Sequence, residues 1–166
     1  MAARIVLGNG VFFLGAVILV SLGLIRTKRN ILIAQIAQEA FMGTGMLILG
    51  GISGFIVDMV AIVRNVVCIR WKYTLKWKLI FIASQVGLYA ALGAEGLYGW
   101  LPVMAMCLFT WYLDTENVIL LKVLIAVMQL MWLVYDISIV NYVGMVVDVV
   151  SAVTNVVGIF LVKKKD

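Results

Sequence analysis

Residues 54–67 read GFIVDMVAIVRNVV, an apolar run interrupted by an aspartate, an arginine and an asparagine. Residues 144–157 read GMVVDVVSAVTNVV and place Asp and Asn at the same positions. A shift of 90 aligns 54–69 with 144–159, and nine of those sixteen residues are identical. Valine matches are cheap in such a composition, but Gly54/Gly144, Asp58/Asp148 and Asn65/Asn155 are not. At about 100° per residue, Gly54, Asp58, Ala61, Asn65 and Cys68 fall within about 80° of a helix's circumference. Gly144, Asp148, Ser151, Asn155 and Gly158 do the same in the second copy. Each copy therefore reads as a helix with one narrow stripe of small and polar residues, the remaining surface being Val, Ile, Met and Phe.

The rest of the chain is as apolar as these stretches. Of 166 residues, 65% are hydrophobic and 13% charged, with mean hydropathy +1.15. A soluble domain averages about 45–50% apolar residues, so this composition leaves too little polar surface to cover a globule and requires a membrane. Histidine is absent, which removes the commonest general base and metal ligand. The two cysteines, Cys68 and Cys107, lie in apolar runs and give neither a disulfide framework nor a metal cluster. No nucleophile–base pair and no phosphate loop is visible. The sequence therefore points away from an enzyme, and no cofactor or metal is expected.

Crossing a hydrocarbon core of ~30 Å takes about 20 apolar residues. Cuts at charges and Gly clusters give seven segments: 5–25, 31–49, 52–70, 77–94, 97–113, 117–135 and 139–162. The first is too long for the roughly 7–15-residue core of a signal peptide. Its basic cluster follows the run, so it is expected to remain as a spanning helix. The connections alternate in charge. RTKRN (26–30), RWKYTLKWK (70–78) and the terminal KKKD are basic, whereas GG (50–51), GAEG (93–96) and YDIS (135–138) carry no Lys or Arg. Basic residues collect on the cytoplasmic side, which predicts the N-terminus outside and the C-terminus in the cytoplasm. The acidic DTEN (114–117) is the one cytoplasmic connection that does not fit. The formal charge of +5 thus describes orientation and gives no nucleic-acid footprint. Trp71, Trp77, Trp100 and Trp111 lie near predicted helix ends, where membrane-interface aromatics usually sit.

Because both repeat copies run from outside to inside, the repeats are parallel, and an odd helix must join two three-helix units. The expected architecture is all-α with seven transmembrane helices arranged 3+1+3. The first unit occupies 1–72, the linker helix 73–96, and the second unit with the basic C-terminus 97–166. Parallel repeats are one recurrent transporter plan, with solute sites near the midplane. This arrangement, the outside N-terminus and the small size resemble the SWEET and PnuC superfamily of sugar and vitamin transporters. The length and the Arg-Asn pair of the third helix most resemble the YgjV-like bacterial inner-membrane proteins. In the sugar-transporting relatives the third helix of each repeat supplies an Asn to the solute, which the resemblance carries to Asn65 and Asn155. Near QLMWLVYD (129–136), PnuC-type relatives hold an aromatic motif. Trp132 and Gln129 occupy it here, but the paired tryptophans are missing, which argues against a nicotinamide-type ligand. The sole proline, Pro102, has no counterpart in the first helix, so a symmetric proline hinge is not expected either.

Each polar residue has a bland reading beside the functional one. Gly54, Gly144, Ala61 and Ser151 fit close helix packing, and Asn can bond across helices for roughly 0.6 kcal/mol. Asp58 and Asp148 lie about 9 Å from their helix starts at 1.5 Å per residue, in an outer vestibule or bonded to neighbouring helices. Glu39 and Arg64 fall at depths about 3 Å apart on neighbouring helices, and neither charge is tolerable alone in lipid. They are expected to pair, either structurally or as a gate or proton-coupling element. The second repeat puts neutral Gln129 and Thr154 in their places. The leading expectation is a facilitative transporter of a small polar metabolite, such as a vitamin, nucleoside or sugar, through a central cavity between the two three-helix bundles, across which the two stripes are expected to face one another. The alternative is a structural or regulatory membrane protein that keeps the fold. The expected partners are a small polar solute and the bilayer, with a homo-oligomer left open and nucleic acid excluded.

Overall fold

A computed structural model describes residues 2–21, 28–93, 95–115 and 117–163. Among them there are seven helices and no strand: α1 Ala2–Ser21, α2 Lys28–Leu49, α3 Ile52–Arg70, α4 Leu75–Leu92, α5 Trp100–Tyr112, α6 Val118–Ile139 and α7 Tyr142–Lys163. The sequence places the first helix at 5–25; residues 22–27 lie outside the described residues. Five helices (α1, α2, α3, α4 and α6) are long and apolar enough to cross a membrane, while the apolar lengths Trp100–Tyr112 and Tyr142–Val157 are shorter.

The turns explain the helix ends. Gly50 takes φ +91°, which a side chain disfavours, and Gly51 N–H reaches back to Met46 O at 2.8 Å. At the other short turn the left-handed residue is Val140 (φ 60°, ψ 40°), and Asn141 N–H bonds Asp136 O at 2.9 Å. The Asn141 side chain then caps α7, accepting from Gly144 N at 3.1 Å. The polar-looking YDIS, read from the sequence as a connection, is in fact helix: α6 runs to Ile139. Its aspartate, Asp136, is 1% exposed. The reason is that the turn needs only Val140 and Asn141.

Sequential helices pack together from α1 to α3 and from α5 to α7, α4 touches α3 and α5, and α1 meets α7. The α1–α2 contact is close because it is glycine-lined: a Cβ on Gly45 would stand 2.8 Å from Gly8 O and from Phe12 Cβ. Asn9 fastens α1 to the far end of the chain, donating to Val140 O at 3.2 Å and accepting from Val143 N at 3.0 Å. One apolar cluster joins α1, α2 and α6 (Phe12, Ala16, Met42, Met46, Tyr135), and another joins α3, α4 and α5 (Ile56, Val57, Ala61, Tyr89, Val103, Met106). Helix α3 is the centre. Its span is 56% buried, against 17–33% for the other four. Its polar residues Ser53, Asp58, Arg64 and Asn65 therefore face protein, while Arg70 at its end is exposed.

Candidate functional site

The stripe of α3 turns inward: Gly54, Asp58, Ala61 and Asn65 are all buried, as is Arg64 beside it. Asn65 Nδ2 donates to Glu39 Oε2 of α2 at 3.0 Å, and Arg64 Nη2 lies 3.8 Å from Glu39 Oε1. Arg64 Nη1 donates to Thr110 Oγ1 of α5 at 3.3 Å, and its guanidinium lies 5.2 Å from the centre of the Phe109 ring. Gln85 Nε2 of α4 donates to the same Thr110 hydroxyl at 3.3 Å, and the Tyr73 hydroxyl donates to Thr110 O at 3.2 Å. Four helices and the α3–α4 connection thus contribute to one network. Exposure of Glu39 is 7% and of Arg64 1%. Taking two such charges out of water costs several kcal/mol per ion, and the charge-assisted bonds from Asn65 and to Thr110 offset part of that.

A second polar group lies towards the opposite end of α3. Asp58 (α3), Asp136 (α6) and Asp148 (α7) are 7%, 1% and 7% exposed. Asn141 Nδ2 donates to Asp136 Oδ2 at 3.1 Å. Gly144 makes room for that carboxyl, since a Cβ there would stand 1.7 Å from Asp136 Oδ2. Asp58 Oδ2, Asp136 Oδ1 and Asp148 Oδ2 are buried with no hydrogen-bond partner among the described residues. Asp58 lies within electrostatic range of Glu39, Asp136 and Arg64, and Asp148 within range of Asp136.

The α2–α3 and α6–α7 turns lie at one end of the bundle, where both line a cleft of about 690 Å³ together with Arg4, Glu95 and Tyr98. At about 1.5 Å per residue, Asp136 is about 4.5 Å inside that end of its helix. Asp58 and Asp148 are about 9 Å inside, Glu39 about 15 Å and Arg64 about 18 Å. Tyr73 follows the far end of α3. Buried polar side chains are therefore strung along the bundle from Asp136 to Thr110, and half-buried Tyr73 extends them towards the other end. Beneath the cleft, Glu95 accepts from Ile52 N at 2.5 Å and Ser53 N at 2.8 Å, placing a carboxylate on the N-terminus of α3. The Tyr135 hydroxyl donates to Glu95 at 3.2 Å and accepts from Gly54 N at 3.1 Å.

Electrostatics outside the spans follow from contacts. Burial pushes the Tyr73 phenol up to about 12, with nearby Arg64 opposing. The Lys78 hydrogen bond holds Asp114 below the usual carboxylate range. That bond is 2.5 Å long and exposed.

Of the residues singled out in the sequence, Glu39, Arg64 and Asn65 come together, and Asp58 stands above them. Asn155 does not join Asn65. It is half-buried and donates to Ser151 O of its own helix at 2.8 Å. Helix α7 packs on α6 and α1 and turns Val149, Val150, Val153, Val156 and Val157 outward; of the stripe residues whose burial is described, Gly144 and Asp148 are buried and Ser151 and Asn155 half-buried. The expectation of two Asn-bearing stripes facing one another is not what the structure places, and the lining of the cleft includes neither Asn65 nor Asn155. Thr154 is exposed and bonds Ser151 O at 3.0 Å, and Gln129 is half-buried on α6. Trp132 packs against both apolar clusters, 5.9 Å from the Tyr135 ring. Asp136, Thr110, Gln85 and Glu95 were not singled out. Asp136 had a signal, lying one turn beyond Trp132 on the same face. Thr110 and Gln85 had none beyond being lone polar residues in apolar runs.

Comparison with curated proteins found no match, and comparison with solved structures found none either. The sequence does match a family model, Imp-YgjV, described as bacterial inner membrane protein, over residues 6–166. That match covers nearly the whole chain and agrees with the apolar helices, so the protein belongs to the Imp-YgjV family of bacterial inner membrane proteins.

Proposed function

We propose that this protein is a small-solute transporter of the bacterial inner membrane. The observation that carries the reading is the buried polar string from Asp136 through Asp58, Glu39, Arg64 and Asn65 to Thr110, with half-buried Tyr73 beyond it. Ionisable side chains at membrane depth are expensive, and where they occur they mark solute or ion pathways. The 690 Å³ cleft at one end falls in the range of small-molecule sites, about 300–1,000 Å³. It serves as the mouth, and the Glu39–Arg64–Asn65 network serves as the constriction beneath it. In this reading the chain is a 3+1+3 assembly of two parallel repeats with the C-terminus cytoplasmic. The solute moves down its own gradient as Glu39 exchanges protein donors for solute donors. Trp132, Gln129 and Asn155 then line the second repeat's side, away from the constriction.

The reading is tested by uptake into proteoliposomes containing the full chain, against protein-free liposomes. A panel of labelled sugars, nucleosides, amines and carboxylates should include a solute taken up saturably, and Asn65→Ala should lower that uptake about tenfold. Uptake of none of them, in protein that remains folded by thermal unfolding in detergent, overturns it. The second reading is a structural membrane protein. It is favoured by one observation: Arg64, Asn65, Thr110 and Gln85 already bond one another or Glu39, as a locked polar core would.

A further inference from the structure

The buried ionisable groups of the bundle do not balance. Four carboxyls (Glu39, Asp58, Asp136 and Asp148) are buried, and the only buried base among the described residues is Arg64. Arg64 is committed to Glu39 and to Thr110. The three aspartates at the cleft end therefore have no base of their own, and each keeps one buried oxygen without a hydrogen-bond partner among the described residues. A buried acceptor left without a donor is costly, more so when it is charged. Three of them on three helices, at depths of about 4.5–9 Å below one cleft, form a set that nothing in the fold explains.

The set has a direction. Asp136 is the hub, within electrostatic range of both Asp58 and Asp148. It is also the shallowest, three residues from the end of α6, and Ile139 and Val140 of that end line the cleft. Its other oxygen is steadied by Asn141, and the bare Cα of Gly144 lets the carboxyl lie against α7. On α2, Gly43 leaves Asp58 similar room: a Cβ there would be 3.3 Å from Asp58 Oδ2. One turn before Asp136, Trp132 lies on the same face of α6. The charged and titratable groups that face the set are Glu39 from α2, Arg64 from α3, and Asp136 and Asp148 towards each other from α6 and α7. Among these only Arg64 is positive. Buried acceptor oxygens without a partner, with an aromatic side chain one helical turn away, are the chemistry that takes an organic cation with N–H donors. The described residues hold no group of three or more His, Cys, Asp or Glu close enough to grip a metal ion. The ligand must therefore be larger than a bare ion and bring its own donors.

Resting on the transport reading above, we propose that Asp58, Asp136 and Asp148 form the recognition site for a small organic cation bearing a primary ammonium group. The ammonium enters through the Glu95-lined cleft, donates to the aspartate oxygens, and is passed towards Glu39.

The test uses the full chain in proteoliposomes with putrescine and ethanolamine as ammonium probes. Choline serves as a cation without N–H donors, glucose and uridine as neutral solutes, and succinate as an anion. Putrescine or ethanolamine should be taken up saturably, at least tenfold faster than choline or any neutral or anionic probe. Asp136→Asn should lower that uptake at least tenfold, and Asp114→Asn, at an exposed site, should leave it unchanged. Because a buried Asp→Asn variant can fail to fold, thermal unfolding of the purified wild-type chain is measured as well. Putrescine at millimolar concentration should raise its unfolding temperature and glucose should not. Uptake of glucose, uridine or succinate that is indifferent to Asp136→Asn would overturn the cation site while leaving transport standing. Uptake of a neutral solute driven by an imposed pH gradient and lost in Asp136→Asn would overturn it in favour of a proton as the cation. If no probe is taken up and none shifts the unfolding temperature, the transport reading falls and the cation site falls with it.

Discussion

Arg64 is held by an ion pair, a hydrogen bond and a ring face, yet its Nε remains without a partner among the described residues. It is thus retained at a cost, and its removal leaves Glu39 facing only Asn65. Breaking a buried pair from one side is destabilising by about 3–5 kcal/mol, whereas removing both charges together is often close to neutral. Arg64→Met should therefore lower stability by about that amount in detergent. The double change Glu39→Gln with Arg64→Met should recover most of it, as thermal unfolding of both variants will report. If the double variant is no more stable than Arg64→Met alone, the pair is not what holds these residues. Glu39 and Arg64 were legible in the sequence because counting residues from helix ends gives each a depth, and two opposite charges at one depth on adjacent helices have few alternatives. The partners of Arg64 beyond Glu39 were not legible. Thr110 and Gln85 are neutral, and a hydroxyl or amide in an apolar run has no signature until the helices bring it to a cation.

At the scale of the element, α3 begins without a side-chain cap of its own, since its N-cap is Gly51. The missing acceptor comes from Glu95, more than forty residues away, whose two oxygens take the N–H groups of Ile52 and Ser53. Losing a capping acceptor costs about 0.5–2 kcal/mol, and a negative charge at a helix start adds about 0.3–1 kcal/mol. Glu95→Ala should therefore destabilise by about 2 kcal/mol and Glu95→Gln by about half of that. Amide exchange at Ile52 and Ser53 should accelerate in both; unchanged exchange would show that Glu95 does not cap the helix. Boundaries were the weak part of the sequence reading. Asp136 resembled the start of a polar connection because aspartate inside lipid is rare, and the true stop, Val140 in a left-handed conformation, has no mark in the sequence. That single misplacement hid the most buried aspartate of the site.

Across the whole molecule, large apolar side chains are exposed on the lengths of α1, α4, α6 and α7, among them Phe13, Val17, Leu79, Val127, Val134, Val149 and Val153. This surface faces lipid, which makes its tolerance depend on depth. Val127→Arg, near the middle of α6, should impair membrane insertion by about 2.5–3.5 kcal/mol. Leu97→Arg, 87% exposed in the connection between α4 and α5, should insert normally. Equal expression of the two variants in the membrane fraction would contradict a lipid-facing α6. Helix number and the membrane were readable from composition and spacing. The relation between the two Asp-Asn stripes was not, because identical stripes acquire different surroundings when α3 is enclosed and α7 is not.

The Asn9 clasp carries a consequence for how the protein is made. One carboxamide joins α1 to Val140 and Val143, across 131 and 134 positions of chain. Synthesis delivers Asn9 to the bilayer more than a hundred residues ahead of these partners. Until α6 and α7 arrive, that amide has only Ile5 O of its own helix to bond, and among the described helices α1 packs on α2 alone. A chain interrupted before α6 and α7 would therefore carry in lipid an amide oxygen without the Val143 N–H that it accepts from, a chemical record of incompleteness that a membrane protease can read.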